Sequence, residues 1–577
     1  MRSRSAKLRA VEEAVTFDEG EGVGRRGARR VKSVKALVRA SVPTIAEAFR
    51  AVASALLLLL AFPDFDLWPL AWVALVPLLY AVASRPRAPQ SFLAGWLAGT
   101  VFFYASCHWL TFPMIRYAEI PAWLAHVLML APALAGGLFV GLFALALARA
   151  CARWGAGGLL LAPMLWAACE WLRLGSIGQL WNALGYSQAF QPALIQAARF
   201  GGVYAVGFIV VCVNAALAYA LLRRDARALI VSAAAVACVA LAVYGLTLTH
   251  APSVQGETGA VVVALQPNVI PDFNRRASEY DALAERHFES SAAAIRRIDE
   301  SGSVGSVKVK DGEDCGCGFE APHLPARVVV WPESPMNFAY ERSAEFRERV
   351  ARFAHENHAS LLFNSLQPTK DGGGFNAAVL VNEGGRLSAQ YDKIRLMPFG
   401  EYVPLPRWMP GAGVVRGVVG DFTPGERYTL MPLAGVDDEK EVRAGVFICL
   451  ESAYPYITRR FAQEGADVLI EMTNDAYQGD TAVMRQHLSN AVFRAVETGR
   501  TLLRVTNTGI SARVSPRGEV SDETGRFVEE VRTWEVARSD GRQTFYTRFG
   551  DSFVAACTFV SLFAVALTFR RRVAAAE

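Results

Sequence analysis

Three residues of types that carry out acyl chemistry stand where strand-like runs end. Cys449 closes the apolar run Val446-Phe447-Ile448 and precedes Leu450-Glu451-Ser452. Glu333 follows Val328-Val329-Val330-Trp331-Pro332, and Lys393 follows Ala389-Gln390-Tyr391-Asp392. A lone cysteine at a strand end is either a small buried hydrophobe or a nucleophile at a strand-to-helix turn, where backbone N–H groups lower its pKa. A papain-like pairing would require a histidine base. His287, His323, His355, His358 and His487 all fall outside strand-end settings. Glutamate and lysine offer another route. A partly desolvated carboxylate can take the thiol proton. An ammonium stabilises the thiolate and the tetrahedral oxyanion. A thioester forms, and water or an amine resolves it. Lysine is scarce in this half of the chain: after residue 249 only Lys308, Lys310, Lys370, Lys393 and Lys440 occur.

The elements that must position these groups follow from pattern. Strand signals cover Ala260–Leu265, Ala326–Trp331, Ser360–Phe363, Ala377–Val381, Arg443–Ile448, Val468–Glu471, Leu502–Thr506 and Ser511–Val514. Helical periodicity intervenes at 277–299, 343–358, 455–464 and 482–499. This alternation predicts a layered α/β sheet. Hairpin-like pairs at 377–391 and 502–514 make it a mixed sheet. About 300 residues, 249–550, are enough for one large core.

The preceding region is of another kind. Residues 51–250 carry 15 charged side chains, none of them lysine, within a 577-residue chain that is 53% apolar. That excludes disorder and an ordinary soluble surface. Hydropathy predicts eight spans, at about 46–63, 67–83, 92–112, 120–148, 154–172, 200–222, 228–248 and 551–569. With eight, the arginines at 85/87, 149/153, 223/224/227 and 570–572 share one side with the basic tail, which the positive-inside rule makes cytoplasmic. Residues 249–550 then face outward. The stretch Trp171 to Gln188, with Glu170, Arg173, Trp181, Tyr186 and Gln188, reads either as an interfacial belt loop or as a lipid-facing mouth beneath the outer domain. Four regions result: a basic cytoplasmic tail, 1–44; a seven-span membrane domain, 45–248; an outer catalytic domain, 249–550; and a final span with a basic end, 551–577.

Of nine cysteines, Cys107, Cys151, Cys169, Cys212, Cys238 and Cys557 lie in or beside predicted spans. Cys315 and Cys317 read as part of a surface loop insertion, 301–322, with a local disulfide as an option, since a lone C-x-C is weak evidence of a metal site. The net charge of +5 is carried largely by the tails. It marks orientation and gives no support to a nucleic-acid partner.

Beyond these readings, the chain closely resembles a known family. Trp331-Pro332-Glu333-Ser334, Tyr391-Asp392-Lys393 and the Cys449 site resemble the Glu–Lys–Cys triad of the nitrilase (carbon–nitrogen hydrolase) superfamily. More narrowly, Leu396-Met397-Pro398-Phe399-Gly400-Glu401-Tyr402-Val403-Pro404 resembles a signature of the apolipoprotein N-acyltransferases. So do Gln266-Pro267-Asn268, Leu184-Gly185-Tyr186-Ser187-Gln188, Thr473-Asn474-Asp475-Ala476-Tyr477, Gln486-His487 and Thr506-Asn507-Thr508-Gly509-Ile510-Ser511.

The resemblance implies an eight-span helical membrane domain with an inserted αββα nitrilase-like sandwich. It implies Glu333 as base, Lys393 as oxyanion stabiliser and Cys449 as nucleophile, supported by Glu401, Glu451 and Asn474. It implies transfer of an acyl chain from a phospholipid, with phosphatidylethanolamine the expected donor, to the N-terminal amine of diacylglyceryl-modified apolipoproteins. The expected setting is the bacterial inner membrane with the catalytic domain in the periplasm. No cofactor, metal or nucleic acid is expected, and a monomer is. A membrane-tethered amidase and a non-catalytic lipoprotein scaffold are the alternatives. Leu450, Tyr477 and Gln478 depart from the family's usual residues.

Overall fold

The computed structural model describes residues 42–570 apart from 179, 249–257, 273, 302–325, 334–335, 337, 371, 405–407, 409–421 and 434–440. The expected basic tail falls almost wholly outside the described residues. So does the Cys315/Cys317 loop.

The N-terminal part is helical: α1 (Ile45–Ala61), α2 (Ala71–Ala74), α3 (Val76–Ser84), α4 (Ala88–Ser106), α5 (Thr111–Arg116), α6 (Ala122–Trp154), α7 (Ala162–Ile177), α8 (Ala198–Arg223) and α9 (Ala226–Leu248). The last helix among the described residues is α15 (Ser552–Thr568). The eight-span fold class does not hold. Among the described residues three helical stretches are long and apolar enough to cross a bilayer: Ala122–Ile177, Ile195–Arg223 and Ala226–Leu248. Trp68–Ser84 and Ser552–Thr568 are apolar but shorter. The physical reason is length and continuity: apolar runs that a hydropathy window separates or stretches form helices that are too short, too polar or merged with a neighbour. The predicted spans 120–148 and 154–172 join through the 3₁₀ turn Gly155–Leu161 into one stretch. Helix α1 is 17 residues with Glu47 and Arg50 in it, and α4 buries Gln90 and Ser91.

Two open six-stranded sheets follow. The first is ordered β12-β1-β2-β3-β4-β5 and the second β11-β10-β9-β8-β7-β6. In the first, β1 (Ala260–Gln266), β2 (Ala326–Val330) and β3 (Ser360–Pro368) are parallel, and β4 (Gly374–Val381) and β5 (Leu387–Asp392) return antiparallel. In the second, β7 (Val442–Ile448), β8 (Val468–Thr473) and β9 (Thr501–Thr506) are parallel. They are flanked antiparallel by β6 (Leu430–Leu433) and by β10 (Ala512–Val514). Strand β11 (Val520–Ser521) forms the far edge, and β12 (Glu530–Val536) crosses to pair with β1.

Alternation along each strand assigns the faces. Ala260, Val262, Ala264, Val328, Val330, Leu362, Ala378 and Leu380 join a single core with Val446, Ile448, Ile470 and Val505 of the second sheet. Their neighbours Val261, Val263, Val329 and Trp331 pack outward, with Phe288 and Ile295 of α10 (Ala277–Ser301) and Phe346 and Val350 of α11 (Ala344–Glu356). Helices α12 (Pro455–Glu464) and α13 (Val483–Thr498) lie with the second sheet, and α14 (Phe545–Phe549) leads into α15.

Helix α13 is buried along nearly its whole length, because its far side meets the N-terminal helices. The amide of Gln486 is the main fastening. Its Oε1 accepts the indole N–H groups of Trp109 (3.1 Å) and Trp181 (3.0 Å). Its Nε2 donates to the carbonyls of Pro63 (3.2 Å) and Ser106 (2.9 Å). Further along, Arg494 pairs with Glu497 at 2.9 Å and donates to the Tyr186 hydroxyl at 3.3 Å, while Glu497 accepts the Val203 N–H at 2.8 Å. Trp181, Tyr186 and Gln188 are thus buried under α13. These residues form neither the belt loop nor the open mouth expected of that stretch.

Candidate active site

The three strand ends converge. Glu333 leaves β2, Lys393 leaves β5 and Cys449 leaves β7. The Lys393 ammonium lies 3.2 Å from Glu333 and 2.9 Å from Glu401, all three side chains being largely or wholly buried. Burial alone would drive the lysine neutral, but Glu333, then Glu401, then Cys449 outweigh it and hold its pKa well above the ordinary value. Lys393 is therefore a fixed cation across the working pH range.

Burial pushes the Cys449 thiol well above its ordinary pKa; Glu333 adds to this and Lys393 opposes it. The resting sulfur is a thiol, so a nearby base must take its proton before it can attack. Glu333 and Lys393 both act electrostatically on this sulfur, and the Thr473 hydroxyl hydrogen-bonds it.

Cys449 itself has φ 54°, in the left-handed region. A non-glycine residue there carries strain, and such strain persists only where surrounding contacts enforce it. Here His487 Nε2 donates to the Cys449 carbonyl at 3.1 Å, and Glu451 accepts the Ile448 N–H at 2.8 Å. A 3₁₀ turn, Cys449–Ala453, begins at once.

Glu451 is fully buried and saturated with donors. It accepts from the Tyr391 hydroxyl (2.8 Å) and from the backbone N–H groups of Ile394 (2.7 Å) and Arg395 (3.0 Å) as well as from Ile448. Burial is nonetheless the larger influence and lifts its pKa to about 7. Glu401 accepts the Met397 N–H at 2.6 Å, which folds the loop after Lys393 back on itself. Asn474 accepts from Ala476 N–H (3.2 Å) and Asn507 (3.0 Å). It braces the end of β8 without touching the three central groups.

Two further residues near the centre were not among the expected site residues. Asn376 on β4 donates to Glu333 (3.0 Å) and to Glu401 (2.5 Å), and its backbone carbonyl accepts the Lys393 N–H (2.8 Å). Its one trace is a polar side chain in a strand otherwise buried. His487, set aside from the sequence as a base, lies behind Cys449. Its Nδ1 bonds Asp475 at 2.8 Å and its Nε2 lies 3.1 Å from Glu471. Burial and Arg504 disfavour its cation, but Asp475 and Glu471 prevail and raise its pKa to about 9. It grips the Cys449 carbonyl and not the sulfur, so it holds the turn instead of taking the proton.

A buried carboxylate, a buried ammonium and a strained thiol at one point can perform acyl transfer through a thioester. Residues 54–216 match the family model for the apolipoprotein N-acyltransferase N-terminal domain, and 242–546 that for carbon–nitrogen hydrolase. An apolipoprotein N-acyltransferase of Geobacter metallireducens is 31% identical over 535 residues, covering 90% of this chain and 95% of that protein. One from Bradyrhizobium diazoefficiens is 27% identical, covering 91% and 95%. One from Allorhizobium ampelinum is 29% identical over 77% and 81%.

Proposed function

Because the chain belongs to the apolipoprotein N-acyltransferase family, we propose that it moves an acyl chain from a membrane phospholipid to the N-terminal amine of diacylglyceryl-modified lipoproteins, by way of a thioester on Cys449. The observation that carries this reading is the meeting of Glu333, Lys393 and Cys449 at three strand ends.

Glu333 takes the thiol proton, and the thiolate attacks the ester carbonyl of the donor. Lys393 faces the negative charge that develops on the carbonyl oxygen. As the C–O bond to glycerol breaks, protonated Glu333 returns its proton to the departing oxygen and the lysophospholipid leaves. The lipoprotein amine then attacks the thioester. Glu333 receives the amine proton, the C–S bond breaks, and the proton passes back to sulfur. The product is an amide and the enzyme is restored. Glu401 and Asn376 hold Lys393 and Glu333 in place, and Glu451 ties the Lys393 and Cys449 strand ends together. Asn474 braces the floor.

Sidedness follows from charge. Arg223, Arg224 and Arg227 cluster at the turn between α8 and α9, and Arg570 follows α15. Both positions lie at the helix ends away from residues 249–550. By the positive-inside rule those ends are cytoplasmic and the catalytic region is periplasmic.

The test is mass spectrometry of the purified enzyme after exposure to phospholipid vesicles. A long-chain thioester on Cys449, cleared by a diacylated lipopeptide with N-acylation, is the expected result. Free fatty acid without N-acylation would establish an amidase-like hydrolase instead. A Cys449→Ala variant that still transfers acyl groups would overturn the nucleophile.

A further inference from the structure

Helix α8 is broken near its start. Gly201 takes φ −136° and ψ 23°, and Gly202 takes φ 64°, in the left-handed region that glycine enters without strain. The regular helix therefore restarts at Val203. The first N–H groups of a helix have no partner within it, and its dipole favours a negative charge there. Glu497 of α13 supplies that charge from the catalytic region: its Oε1 accepts the Val203 N–H at 2.8 Å. The fit at the break is close. A Cβ on Gly202 would come within 2.8 Å of the Tyr546 ring and 3.2 Å of Glu497 Oε1.

One residue connects this carboxylate to the nucleophile turn. Arg494, one turn earlier on α13, pairs with Glu497 at 2.9 Å. Its Nη1 donates to the Ser452 carbonyl at 3.1 Å, inside the turn Cys449–Ala453, and its Nη2 donates to the Tyr186 hydroxyl at 3.3 Å. Arg494, Glu497 and Ser452 are fully buried. Charge-assisted hydrogen bonds thus run without a gap from the backbone of α8 to the backbone of the strained turn, through Val203, Glu497, Arg494 and Ser452. A buried ion pair adds little net stability over an apolar pair of similar volume, so stability alone is a weak reason for this one.

We propose that Arg494 and Glu497 are positioning residues for Cys449, through which the start of α8 sets the seat of the nucleophile. The role rests on the acyl-transfer reading given above. His487 holds the Cys449 carbonyl and Arg494 holds the Ser452 carbonyl, so α13 grips the turn at two points. Glu497 fixes where that helix stands against α8. When Glu497 is displaced, the Arg494 guanidinium turns with it and the Ser452 carbonyl loses its donor. The left-handed backbone at Cys449 is then free to relax, and the thiol shifts relative to Glu333 and Lys393.

The experiment uses full-length enzyme in phosphatidylethanolamine vesicles and follows thioester loading on Cys449 by intact mass over a range of lipid fractions. Glu497→Gln keeps an acceptor for Val203 but loses the charge that holds Arg494. Gly202→Ala changes no residue of the catalytic region and drives a methyl group against the Glu497 carboxylate. Each should lower the loading rate at saturation by about ten- to a hundredfold, the scale on which a displacement of about 1 Å acts, with the half-saturating lipid fraction unchanged. The double variant should be no slower than the slower single one, because both act through one contact. Alkylation of Cys449 by iodoacetamide, read by peptide mapping, needs no lipid and should slow in the same order. Wild-type loading in either single variant, or fully additive losses in the double, overturns the proposal. So does a lowered melting temperature with unchanged alkylation of the folded protein, which would make the pair merely structural. Where Gly202→Ala does not fold, Arg494→Lys takes its place: it keeps the charge but cannot reach Ser452 and Glu497 together, and wild-type loading there overturns the proposal equally. If wild type forms no thioester the acyl-transfer reading fails, and alkylation alone then decides for or against the positioning role.

Discussion

Glu451 accepts the backbone N–H of Ile394 at 2.7 Å, and so locks the strand end bearing Lys393 to the one bearing Cys449. Both carboxylate oxygens are occupied, and every partner is a donor. Glu451→Gln would point an amide N–H at one of these donors and leave it unpaired in a dry interior. The expected loss of stability is about 1–3 kcal/mol. Activity should fall further than stability, because the strand ends separate. Tyr391→Phe removes one donor and should cost about 0.5–1.5 kcal/mol. Thermal unfolding in detergent beside acyl-transfer assays checks both; equal effects of the two variants would refute the locking role.

Gly425 donates its N–H to the Lys393 carbonyl at 2.8 Å. A Cβ at this position would collide with the Asp392 carbonyl. Gly425→Ala must therefore push the end of β5 and displace the Lys393 ammonium from Glu333 and Glu401. We expect at least a tenfold loss of kcat, on the scale of a misplaced charge-stabilising group. A variant with wild-type kcat would show that Lys393 tolerates the shift.

The pKa of His487, about 9 in the fold against an ordinary 6.5, sets a direction for pH dependence. The folded state binds the proton more tightly than the unfolded state. The resulting stabilisation is complete below pH 6.5 and is lost as pH rises through 9, amounting to roughly 3 kcal/mol. Glu451 and Glu497, both lifted to about 7, act on the slope below that value. Melting temperature should thus decline between pH 7 and pH 9.5 in wild type. His487→Gln should flatten this decline; an unchanged slope would assign it to another group.

Gln486→Leu strands two indole N–H groups and two carbonyls at once. Two or more unmet buried bonds should cost about 2–6 kcal/mol. Gln486→Glu keeps the acceptor for Trp109 and Trp181 and loses only the donor, so it should be the milder change unless it stays ionised. Thermal unfolding of the two variants in detergent, followed by circular dichroism, checks the order.

The strands bearing the reactive groups were legible because a reactive side chain after an apolar β-run is an unusual juxtaposition. Cys449, Glu333 and Lys393 each stand out in this way, and the chain brings all three together. Asn376 was not legible. A polar residue within a strand looks the same whether it faces water or a buried carboxylate, and only the register with β3 and β5 decides. Strand β12 was missed because Arg532, Thr533 and Glu535 break its apolar pattern, and its partner β1 lies far away in sequence. The count of spans failed for a related reason. Hydropathy sees that α1 and α4 are apolar but not where each helix starts and stops, and within those bounds α1 is 17 residues long and α4 opens on Pro89, Gln90 and Ser91.

The fastening of α13 bears on what this enzyme can be cut down to. Every partner of the Gln486 side-chain amide precedes β1, as do Tyr186, which accepts from Arg494, and Val203, which donates to Glu497. Deleting the helical region would not release a finished hydrolase into water. It would cut through the hydrophobic core that the helices share with the sheets and expose the buried Arg494–Glu497 ion pair of α13. Membrane attachment in this chain is therefore not a tether added to a self-sufficient catalyst. The helices complete the wall against which the catalyst is built, and a free-swimming version would need that whole face of α13 redesigned.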